Sequence, residues 1–337
     1  MPKLNRRRLL KSTLMAPIAF GILRSKANAA EFVFKFGNNV PETYPLNVRV
    51  KQAAERISAA TNGRFDLQIF PAGQLGTDSD MLSQVRSGGL EFYTASGLVT
   101  STLVPLTAIN ALGFAFSRYD QVWPAMDGKL GAAIRAKIEE AGLHPVEKIF
   151  DIGFREVSSS THPITDPDSF KGFKVRIPAS QLGVSMFKAL SASPVTLNFA
   201  EVYTALQTHV VDGQENPLSI IDTAKFYEVQ KYISMTNHMW DGYWMLTNGR
   251  AWKGLPDDIR VIVSRELNAA AEEDRRDIAN LDANLKTKLE AKGFQFNSPD
   301  IEPFRNTLRT SGFYEQWRKS FGDEAWGILE SYVGRLA

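Results

Sequence analysis

The chain has 337 residues, a formal net charge of +2 and no cysteine. The lack of cysteine excludes disulfides, thiolate metal sites and a lipid-modified N-terminal cysteine, and the small net charge gives no reason to expect a polyanionic partner. A chain of this length favours two domains, and its hydrophobic content of 44% is ordinary for a soluble globular protein.

The first segment, Met1 to Ala29, has the pattern of an export signal. A basic stretch precedes an apolar stretch from Leu14 to Leu23 that is too short to span a bilayer, and Ala27-Asn28-Ala29 fits a small-residue cleavage site. Arg6-Arg7-Arg8 in the basic stretch resembles a twin-arginine signal. An ordinary secretory signal that is rich in arginine is the alternative, and either route would release the mature chain outside the cytoplasm.

The segment after this signal predicts a parallel α/β sheet. Phe32–Phe36 and Phe65–Phe70 have the character of strands, and Pro45–Thr61 between them carries apolar residues at helical spacing. A strand, a helix and a second strand in this order are typical of parallel α/β folds. Asn39 follows the first strand, where it either contacts a ligand or only bonds the backbone of its own turn.

The stretch from Phe92 to Ser117 contains no charged residue. Serines and threonines interrupt it, together with Gly97 and Pro105, so we interpret it as a buried strand and loops and not as a membrane span. Tyr93 and Ser96 come just after the start of this strand, and we predict that they face the ligand crevice.

The next part of the chain alternates helix and strand again. Arg118 to Ala141 is predicted to be mostly helical, with its apolar stripe in the core. Val146 to Ile152 is predicted to be a strand, and Arg155 follows it where the chain first crosses between the two domains. Judged by its local sequence alone, Arg155 is more typical of a structural or surface arginine than of a ligand contact.

A short strand is predicted from Phe173 to Ile177, where apolar residues alternate with Lys174 and Arg176. Pro178 ends this strand, because proline has no N–H to donate to a sheet. Arg176 therefore lies near the C-terminal end of the strand, on the face opposite the apolar residues. Ligands of open α/β sheets bind beyond the C-terminal ends of the strands.

Three further elements are predicted after this strand. Glu201 to Gln207 is predicted as a helix, Val210-Val211 as a strand and Asp212 to Pro217 as a turn. The turn would bring a second polar side chain, the amide of Asn216, to another strand end.

Two segments, KGFKVRIP (171–178) and FAEVYTALQTHVVDGQENP (199–217), closely resemble the substrate-binding subunits of tripartite ATP-independent periplasmic (TRAP) transporters, the C4-dicarboxylate-binding family. The resemblance extends over nearly all of the chain after residue 30, and the VDGQENP segment is highly specific. It implies an α/β fold like that of periplasmic binding proteins, with two α/β lobes around a central cleft and a long helix that crosses both lobes.

The resemblance also implies roles for four side chains. In this family the arginine of the KxR strand pairs with the substrate carboxylate, and Arg176 is the matching residue. Asn216 would supply an amide on the ligand side, Arg155 a second polar contact or support for one, and Phe199 an aromatic contact.

The most aromatic window of the chain is Asn237 to Asn248. In a strand, Trp240 and Trp244 would share one face, and Tyr243 would lie on the other. We predict that Trp240 walls the pocket and stacks on a sugar or aryl ring, whereas the other two belong to the core.

The segment from Pro256 to Lys292 carries the signals of one long helix, with a proline and two aspartates at its start and Gly293 after its end. It would extend about 50 Å, and the resemblance identifies it as the helix that crosses both lobes. The predicted division gives residues 30–153 plus about 241–275 to lobe I, and residues 154–240 plus about 276–337 to lobe II.

Motifs of common enzymes and cofactor sites are missing: no strand is followed by GxGxxG, and there is no P-loop, GxSxG, HExxH or EF-hand pattern. Basic residues are interleaved with acidic ones, which gives nucleic-acid binding little support. The histidines are widely spaced, and the one beside the aromatic window, His238, is interpreted as structural. We therefore predict no catalytic residue, no cofactor and no metal.

Together these patterns predict a monomeric, non-enzymatic solute receptor of the periplasm, which binds a small organic acid and delivers it to a TRAP membrane permease. The predicted ligands are a sugar acid such as a uronate, an aryl keto or hydroxy acid, and a C4-dicarboxylate, whose second carboxylate Arg155 would bind. A periplasmic enzyme acting on organic acids and a ligand-sensing domain of a membrane kinase are the alternatives.

Overall fold

The structure, a computed structural model, describes residues 29–336. The predicted export signal lies outside these residues except for Ala29. Within the described part, no helix combines the length and the apolar character that crossing a membrane requires.

Residues 29–336 contain ten strands in one mixed sheet. In chain order they are β1 (Phe32–Gly37), β2 (Phe65–Phe70), β3 (Phe92–Ser96), β4 (Leu143–Pro145), β5 (Phe150–Ser159), β6 (Lys174–Ile177), β7 (Ser193–Thr196), β8 (Gly213–Asn216), β9 (Tyr232–Asn248) and β10 (Gln295–Asn297).

The same residues contain thirteen α-helices and four short 3₁₀ helices. The α-helices are α1 (Pro45–Ala60), α2 (Asp78–Ser87), α3 (Gly97–Thr100), α4 (Tyr119–Met126), α5 (Lys129–Glu140), α6 (Gln181–Ala189), α7 (Val202–Gln207), α8 (Leu218–Thr223), α9 (Gly249–Lys253), α10 (Asp257–Ala291), α11 (Glu302–Thr310), α12 (Phe313–Phe321) and α13 (Asp323–Val333).

The sheet has the strand order β2-β1-β3-β9-β5-β8-β6-β7, and β4 and β10 also pair with β9. Strands β2, β1 and β3 are parallel to one another, and so are β8, β6 and β7. We call the part built on β1–β3 lobe I and the part built on β6–β8 lobe II. The long strands β5 and β9 run antiparallel through both lobes and join them.

Local sequence signals fix the start of two helices near the cleft. Pro45 occupies the first turn of α1, where the N–H that proline lacks has no partner in any helix. Thr77 caps α2 through a capping box with Asp80. This cap makes Asp78 the first residue of α2 and holds it at the lobe interface.

The long helix α10 has 35 residues and extends about 52 Å at 1.5 Å per residue. Near its start, Glu266 pairs with Arg56 of α1 at 2.6 Å. Near its end, Lys288 pairs with Asp222 of α8 at 2.6 Å. One continuous helix is therefore attached to both lobes, as the family resemblance implies.

The C-terminal helices contact elements of both predicted lobes. Helices α11 and α12 pack against α6, whereas α13 packs against α4 and α5, which the predicted division gives to lobe I. The bounds of the lobes stay a prediction.

One predicted element is wrong in a way that affects the site. Asp212 to Pro217, predicted as a turn after a strand at Val210-Val211, contains strand β8, which pairs with β5 and β6. Its residues have low strand propensity. Their position between two other strands of the sheet overrides that preference, since each backbone group there finds a ladder partner.

Two other boundaries differ from the predictions. The strand predicted at Val146 to Ile152 begins later and continues as β5 to Ser159. The helix predicted from Arg118 to Ala141 is divided at Gly128, where a Cβ would come within 2.3 Å of the Pro124 carbonyl oxygen.

The pairing of β5 with β9 is interrupted at the junction between the lobes. Register shifts occur between Asp151 and Gly153 and again between Arg155 and Val157. Gly153 has a φ of +108°, a conformation that L side chains rarely adopt. Such bulges bend a strand and change the direction of its side chains, and here they flank Arg155.

Candidate ligand-binding site

Arg176 lies on β6 and is only 2% exposed, between the core residues Val175 and Ile177. Its Nε and Nη2 donate to the carbonyl of Leu197 at 3.0 and 2.7 Å. Among residues 29–336 it has no other hydrogen bond and no carboxylate within ion-pair distance. Burial lowers the pKa of Arg176 to about 10, although the charge of Glu215 opposes this shift.

Arg155, on β5, is equally buried but has two carboxylate partners. Its Nε and Nη2 bind the carboxylate of Glu215 on β8, and its Nη1 donates to Asp241 on β9 at 3.0 Å. Its Nη2 also donates to the backbone carbonyl of Glu215 at 2.7 Å. Burial would raise the pKa of Glu215, but the charges and hydrogen bonds of Arg155 and His238 together outweigh it, and the pKa falls to about 2. The charge of Arg155 is thus compensated within the protein.

This ion-pair network, which we call the hinge network, extends to both sides of Arg155. His238 contacts Glu215 through Nε2 at 3.3 Å, and the hydroxyl of Thr236 lies 2.7 Å from its Nδ1. Burial lowers the pKa of His238, which favours the neutral ring and a structural role. On the other side, Ser96 donates to Asp241 at 2.5 Å. The hinge network therefore joins β3, β5, β8 and β9.

A second group of polar side chains, which we call the acceptor wall, lies in lobe I. Asn39 Nδ2 donates to Asp78 at 3.0 Å, and the hydroxyl of Tyr93 donates to the other oxygen of Asp78 at 3.1 Å. The hydroxyl of Tyr243 donates to Asn39 Oδ1 at 3.1 Å. Burial raises the pKa of Asp78, while its two hydrogen bonds and the charge of Arg176 hold it down. The guanidinium of Arg176 is therefore near enough to Asp78 to affect its pKa, although the two side chains form no ion pair among the described residues.

Of the two predicted alternatives for Asn39, bonding to the backbone of its own turn is not seen among the described residues, and ligand contact stays a prediction. Its side chain bonds to α2 and β9, whereas the neighbouring Asn38 bonds within the turn, to the Val40 amide at 3.1 Å.

Asn216 ends β8 and is 5% exposed. Its Nδ2 donates to Gln214 at 2.6 Å, and Gln214 donates to Ser158 at 2.9 Å. Arg176 lies opposite Gln214 in the parallel pair of β6 and β8. Asn216 is therefore two residues further toward the C-terminal ends of these strands, the position that the sequence predicts for a ligand contact.

A cavity of about 270 Å³ lies between the lobes, and Arg176 and Asn216 are not among its lining residues. Asn39 and Asp78 line it from lobe I, and Asn198 and Phe199 line it from lobe II. The ring centre of Phe199 is 6.0 Å from the guanidinium carbon of Arg176. Phe199 thus connects the cavity wall to Arg176.

The structure places Trp240 outside this cavity. Its side chain is fully buried, its Nε1 donates to Asp151 at 3.0 Å, and its ring packs edge-on against Phe116 and Trp123. Because helix α4 covers this face of β9, the predicted stacking of Trp240 on a ligand ring has no support. Tyr243 lies on the opposite face of β9, and its hydroxyl donates to Asn39 of the acceptor wall.

Sequence patterns do not identify four residues of the two networks, namely Asp78, Glu215, Asp241 and Tyr243. An aspartate directly after a helix cap is expected for the helix alone, so Asp78 gives no separate signal. Glu215 and Asp241 are acids inside strands, where acids are disfavoured and are buried only with a partner. That signal becomes usable only once the strands are assigned correctly.

A larger groove of about 800 Å³ lies on the outer side of lobe I, between α1 and β2. Glu42, Lys51 and Asp66 are among its lining residues, and no residue of the hinge network or the acceptor wall lines it. Among the described residues, no group of three or more histidines, aspartates or glutamates is arranged to hold a metal ion.

Comparison with known families gives one match, over residues 36–319, to bacterial extracellular solute-binding protein, family 7 (DctP). The chain is also 34% identical over 255 residues to the C4-dicarboxylate-binding periplasmic protein DctP of Rhodobacter capsulatus. This alignment covers 75% of the chain and 76% of that protein.

Two solved structures illustrate the similarity of the fold. One is a TRAP periplasmic solute binding protein from Sulfurospirillum deleyianum with bound succinate, with a TM-score of 0.84 and 29% identity over 90% of this chain and 99% of that one. The other, from a Sulfitobacter species, has bound β-D-galacturonate, with a TM-score of 0.84 and 28% identity over 90% of this chain and 100% of that one.

Proposed function

The chain belongs to family 7 of the bacterial extracellular solute-binding proteins, the periplasmic receptors of TRAP transporters, and we propose that it captures a small organic acid by binding the acid's carboxylate with Arg176. Relatives and structural neighbours bind different acids, among them succinate and β-D-galacturonate. All of these ligands carry a carboxylate, which is the group that Arg176 would bind.

The observation that carries this proposal is the contrast between two buried arginines. Buried charges in proteins are normally paired, because removing a lone charge from water is costly. Arg155 forms ion pairs with the carboxylates of Glu215 and Asp241, whereas Arg176 donates hydrogen bonds only to a backbone carbonyl among the described residues. A ligand carboxylate would supply the missing partner and accept two parallel hydrogen bonds from the planar guanidinium.

The neighbouring residues suit the same ligand. Asn216 would hold the carboxylate or an adjacent hydroxyl, and Phe199 would pack on the carbon chain. Arg155 would act through its charge and through the position that it gives β5 and β8, since its donors are largely occupied.

Closure of the two lobes would complete the site, because the acceptor wall is in lobe I and Arg176 is in lobe II. Among the described residues, β5, β9 and α10 pass through both lobes and would bend as the lobes move, and the bulges of β5 lie at the crossing point. Exclusion of water then strengthens each charged contact.

Delivery of the ligand to a TRAP membrane permease follows from the family, and we propose that the chain acts as a monomeric receptor that does not turn its ligand over. Incubation with a panel of organic acids tests this: stoichiometric thermal stabilisation with no product supports a receptor, and product formation would establish an enzyme instead. Neighbouring permease genes would favour transport over a sensory role.

Substitution of Arg176 tests the proposed site directly. Removing one member of a buried charge pair costs roughly 3–5 kcal/mol, so Arg176→Ala should weaken binding of the acid by roughly 10²–10⁴-fold, at about 1.4 kcal/mol per tenfold change. Arg176→Lys should also bind poorly, because an ammonium group cannot reproduce the planar fork. Isothermal titration calorimetry measures both.

The matched control is Arg64→Ala, which removes an exposed arginine paired with Glu31 and Asp258 at the surface. We expect it to retain wild-type affinity. Wild-type affinity in Arg176→Ala and Arg176→Lys, with both variants folded by circular dichroism, would show that the carboxylate binds elsewhere.

A further inference from the structure

The acceptor wall has a consistent direction of hydrogen bonding. Tyr243 donates its proton to Asn39, Asn39 donates to Asp78, and Tyr93 donates its proton to Asp78. A phenol has one proton, so both tyrosine hydroxyls have used their only donor inside the protein. Their oxygen lone pairs and those of Asp78 are left as acceptors, and the second N–H of Asn39 is the one donor that these bonds leave over among the four side chains.

Asp78 is the buried charge of this wall. It is 7% exposed, and it lines the cavity between the lobes together with Asn39 and Phe199. Two donors hold its oxygens, and an ionised carboxylate has further acceptor sites that need O–H or N–H partners. The wall thus requires a ligand group that donates hydrogen bonds.

The charges around the cleft also favour a ligand with a single carboxylate. Two guanidinium groups, those of Arg155 and Arg176, face three carboxylates, those of Glu215, Asp241 and Asp78. One ligand carboxylate at Arg176 is favourable, but a second at the opposite end would face Asp78 with no free guanidinium to offset it, since Arg155 is engaged. Like charges at such distances disfavour binding.

From this arrangement we infer that the ligand is a monocarboxylate carrying several hydroxyl groups, a sugar acid such as an aldonate or a uronate, and that Asp78 selects it by accepting hydrogen bonds from its hydroxyls and repelling a second carboxylate. The inference rests on the proposed function, because it assumes that Arg176 binds the first carboxylate. It separates one ligand class from the C4-dicarboxylates and from hydroxyl-free acids.

Calorimetry with three sets of acids tests this inference. The first set contains hexonates and hexuronates of the gluco, galacto, manno and gulo configurations, the second contains adipate and succinate, and the third contains hexanoate. We expect the best acid of the first set to bind at least tenfold more tightly than any acid of the other two. Equal or tighter binding of adipate, succinate or hexanoate would overturn the inference.

The variant Asp78→Asn tests the residue itself. It keeps the shape of the side chain but removes the negative charge and adds an N–H₂ donor. We expect affinity for the best sugar acid to fall at least tenfold and affinity for succinate to stay constant or rise. An unchanged ratio of the two affinities would contradict the role of Asp78.

Two further variants serve as a control and as a replacement for Asp78→Asn. Asp120→Asn changes an exposed aspartate, also in the first turn of a helix, and both affinities should stay within about twofold of wild type. If Asp78→Asn does not fold, Asp78→Ser removes the same negative charge with a smaller side chain and should lower the ratio in the same direction; a wild-type ratio in that variant counts against the inference.

Arg176→Ala distinguishes a failure of the proposed function from a failure of the inference about ligand class. If succinate is the best ligand and Arg176→Ala abolishes its binding, the proposed function stands and the inference about ligand class is wrong. If no acid of the three sets binds, the inference about ligand class is wrong, and if Arg176→Ala has no effect on the acid that does bind, the proposed function itself is wrong.

Discussion

Arg155 and Arg176 lie on neighbouring parts of one sheet and are both buried, yet they have opposite electrostatic environments. Burial lowers the pKa of Arg176, whereas Glu215 and Asp241 overcome the effect of burial and raise the pKa of Arg155. An arginine that its own protein satisfies is part of the structure, and one that the protein leaves without a carboxylate is prepared for a ligand. We regard this difference as the basis of recognition.

The substitution Glu215→Gln tests the structural role of Arg155. It leaves the guanidinium buried beside a neutral amide, and loss of one partner from a buried ion pair costs roughly 3–5 kcal/mol. Urea unfolding should show this as a lower free energy of unfolding. Glu31→Gln makes the same change in the exposed pair with Arg64, and its unfolding midpoint should match wild type; similar losses in both variants would refute the special role of burial.

The residues of the site were predictable to different degrees. Arg176 and Asn216 stand in segments whose local pattern and family resemblance point to a ligand, and the register of β6 and β8 brings them together. The sequence predicts Trp240 as the pocket residue because it precedes a glycine-containing break, but a tryptophan in a strand has no local signal that says which face is covered. The role of Asp78 depends on Asn39, which follows β1, and on Tyr93 in β3, so no local pattern reveals it.

At the scale of elements, β5 and β9 determine how the two lobes are connected. Each is long enough to belong to both lobes, and their pairing is interrupted around Gly153 and Arg155. The two register shifts place the irregular part of this ladder next to the hinge network. The sequence does not predict strand β8, because a strand of glycine and polar residues forms only where neighbouring strands of the sheet provide partners.

Gly153→Ala tests the importance of the bulge. At a φ of +108° an added Cβ is strained, and it would lie 3.3 Å from the Pro217 Cβ and 3.6 Å from Asp282 Oδ2. We expect a loss of stability of roughly 1–3 kcal/mol together with weaker ligand binding, measured by urea unfolding and calorimetry.

Gly142→Ala is the matched control for this substitution. Gly142 also has a positive φ, +85°, but nothing lies within 4 Å of its Cβ position, so it should lose stability and retain ligand affinity. Equal effects of the two variants on affinity would mean that the bulge has no special part in closure.

At the scale of the whole molecule, α10 passes a group of buried carboxyl groups at the junction of the lobes. Asp151 accepts hydrogen bonds from the Gly153 amide and Trp240 on one oxygen, and its other oxygen has no partner within the described residues. Burial raises the pKa of Asp151 to about 7 and that of Asp282, on α10, to about 6. Folding therefore takes up protons here at intermediate pH.

This uptake gives a pH dependence with a definite sign. The ordinary pKa of an aspartate is 3.8, so between about pH 4 and pH 7 the folded protein holds a proton on Asp151 that the unfolded chain has lost, and the contribution of this group to stability falls as the pH rises through that range. Asp151→Asn removes the titration and keeps an oxygen acceptor. Relative to wild type its stability should rise from pH 5 to pH 8 by about 2.7 kcal/mol, since about two pH units of this range lie below the folded pKa and each is worth about 1.36 kcal/mol.

Urea unfolding at pH 5, 6, 7 and 8 measures this difference, with Asp120→Asn as an exposed control whose profile should run parallel to wild type. A parallel profile for Asp151→Asn as well would show that Asp151 is not protonated in the folded protein.

The sequence by itself determined the elements whose signals are local: the strand of Arg176 with its proline stop, the strand–helix–strand start, and the long helix with its caps. It also identified the family, because the segments around Arg176 and Asn216 are contiguous. Only the tertiary structure decided which arginine has carboxylate partners among the described residues, since the partners of Arg155 are 60 and 86 residues away from it along the chain. Charge pairing between distant strands leaves no trace in the spacing of residues, and the proposal that Arg176 binds the ligand rests on this pairing.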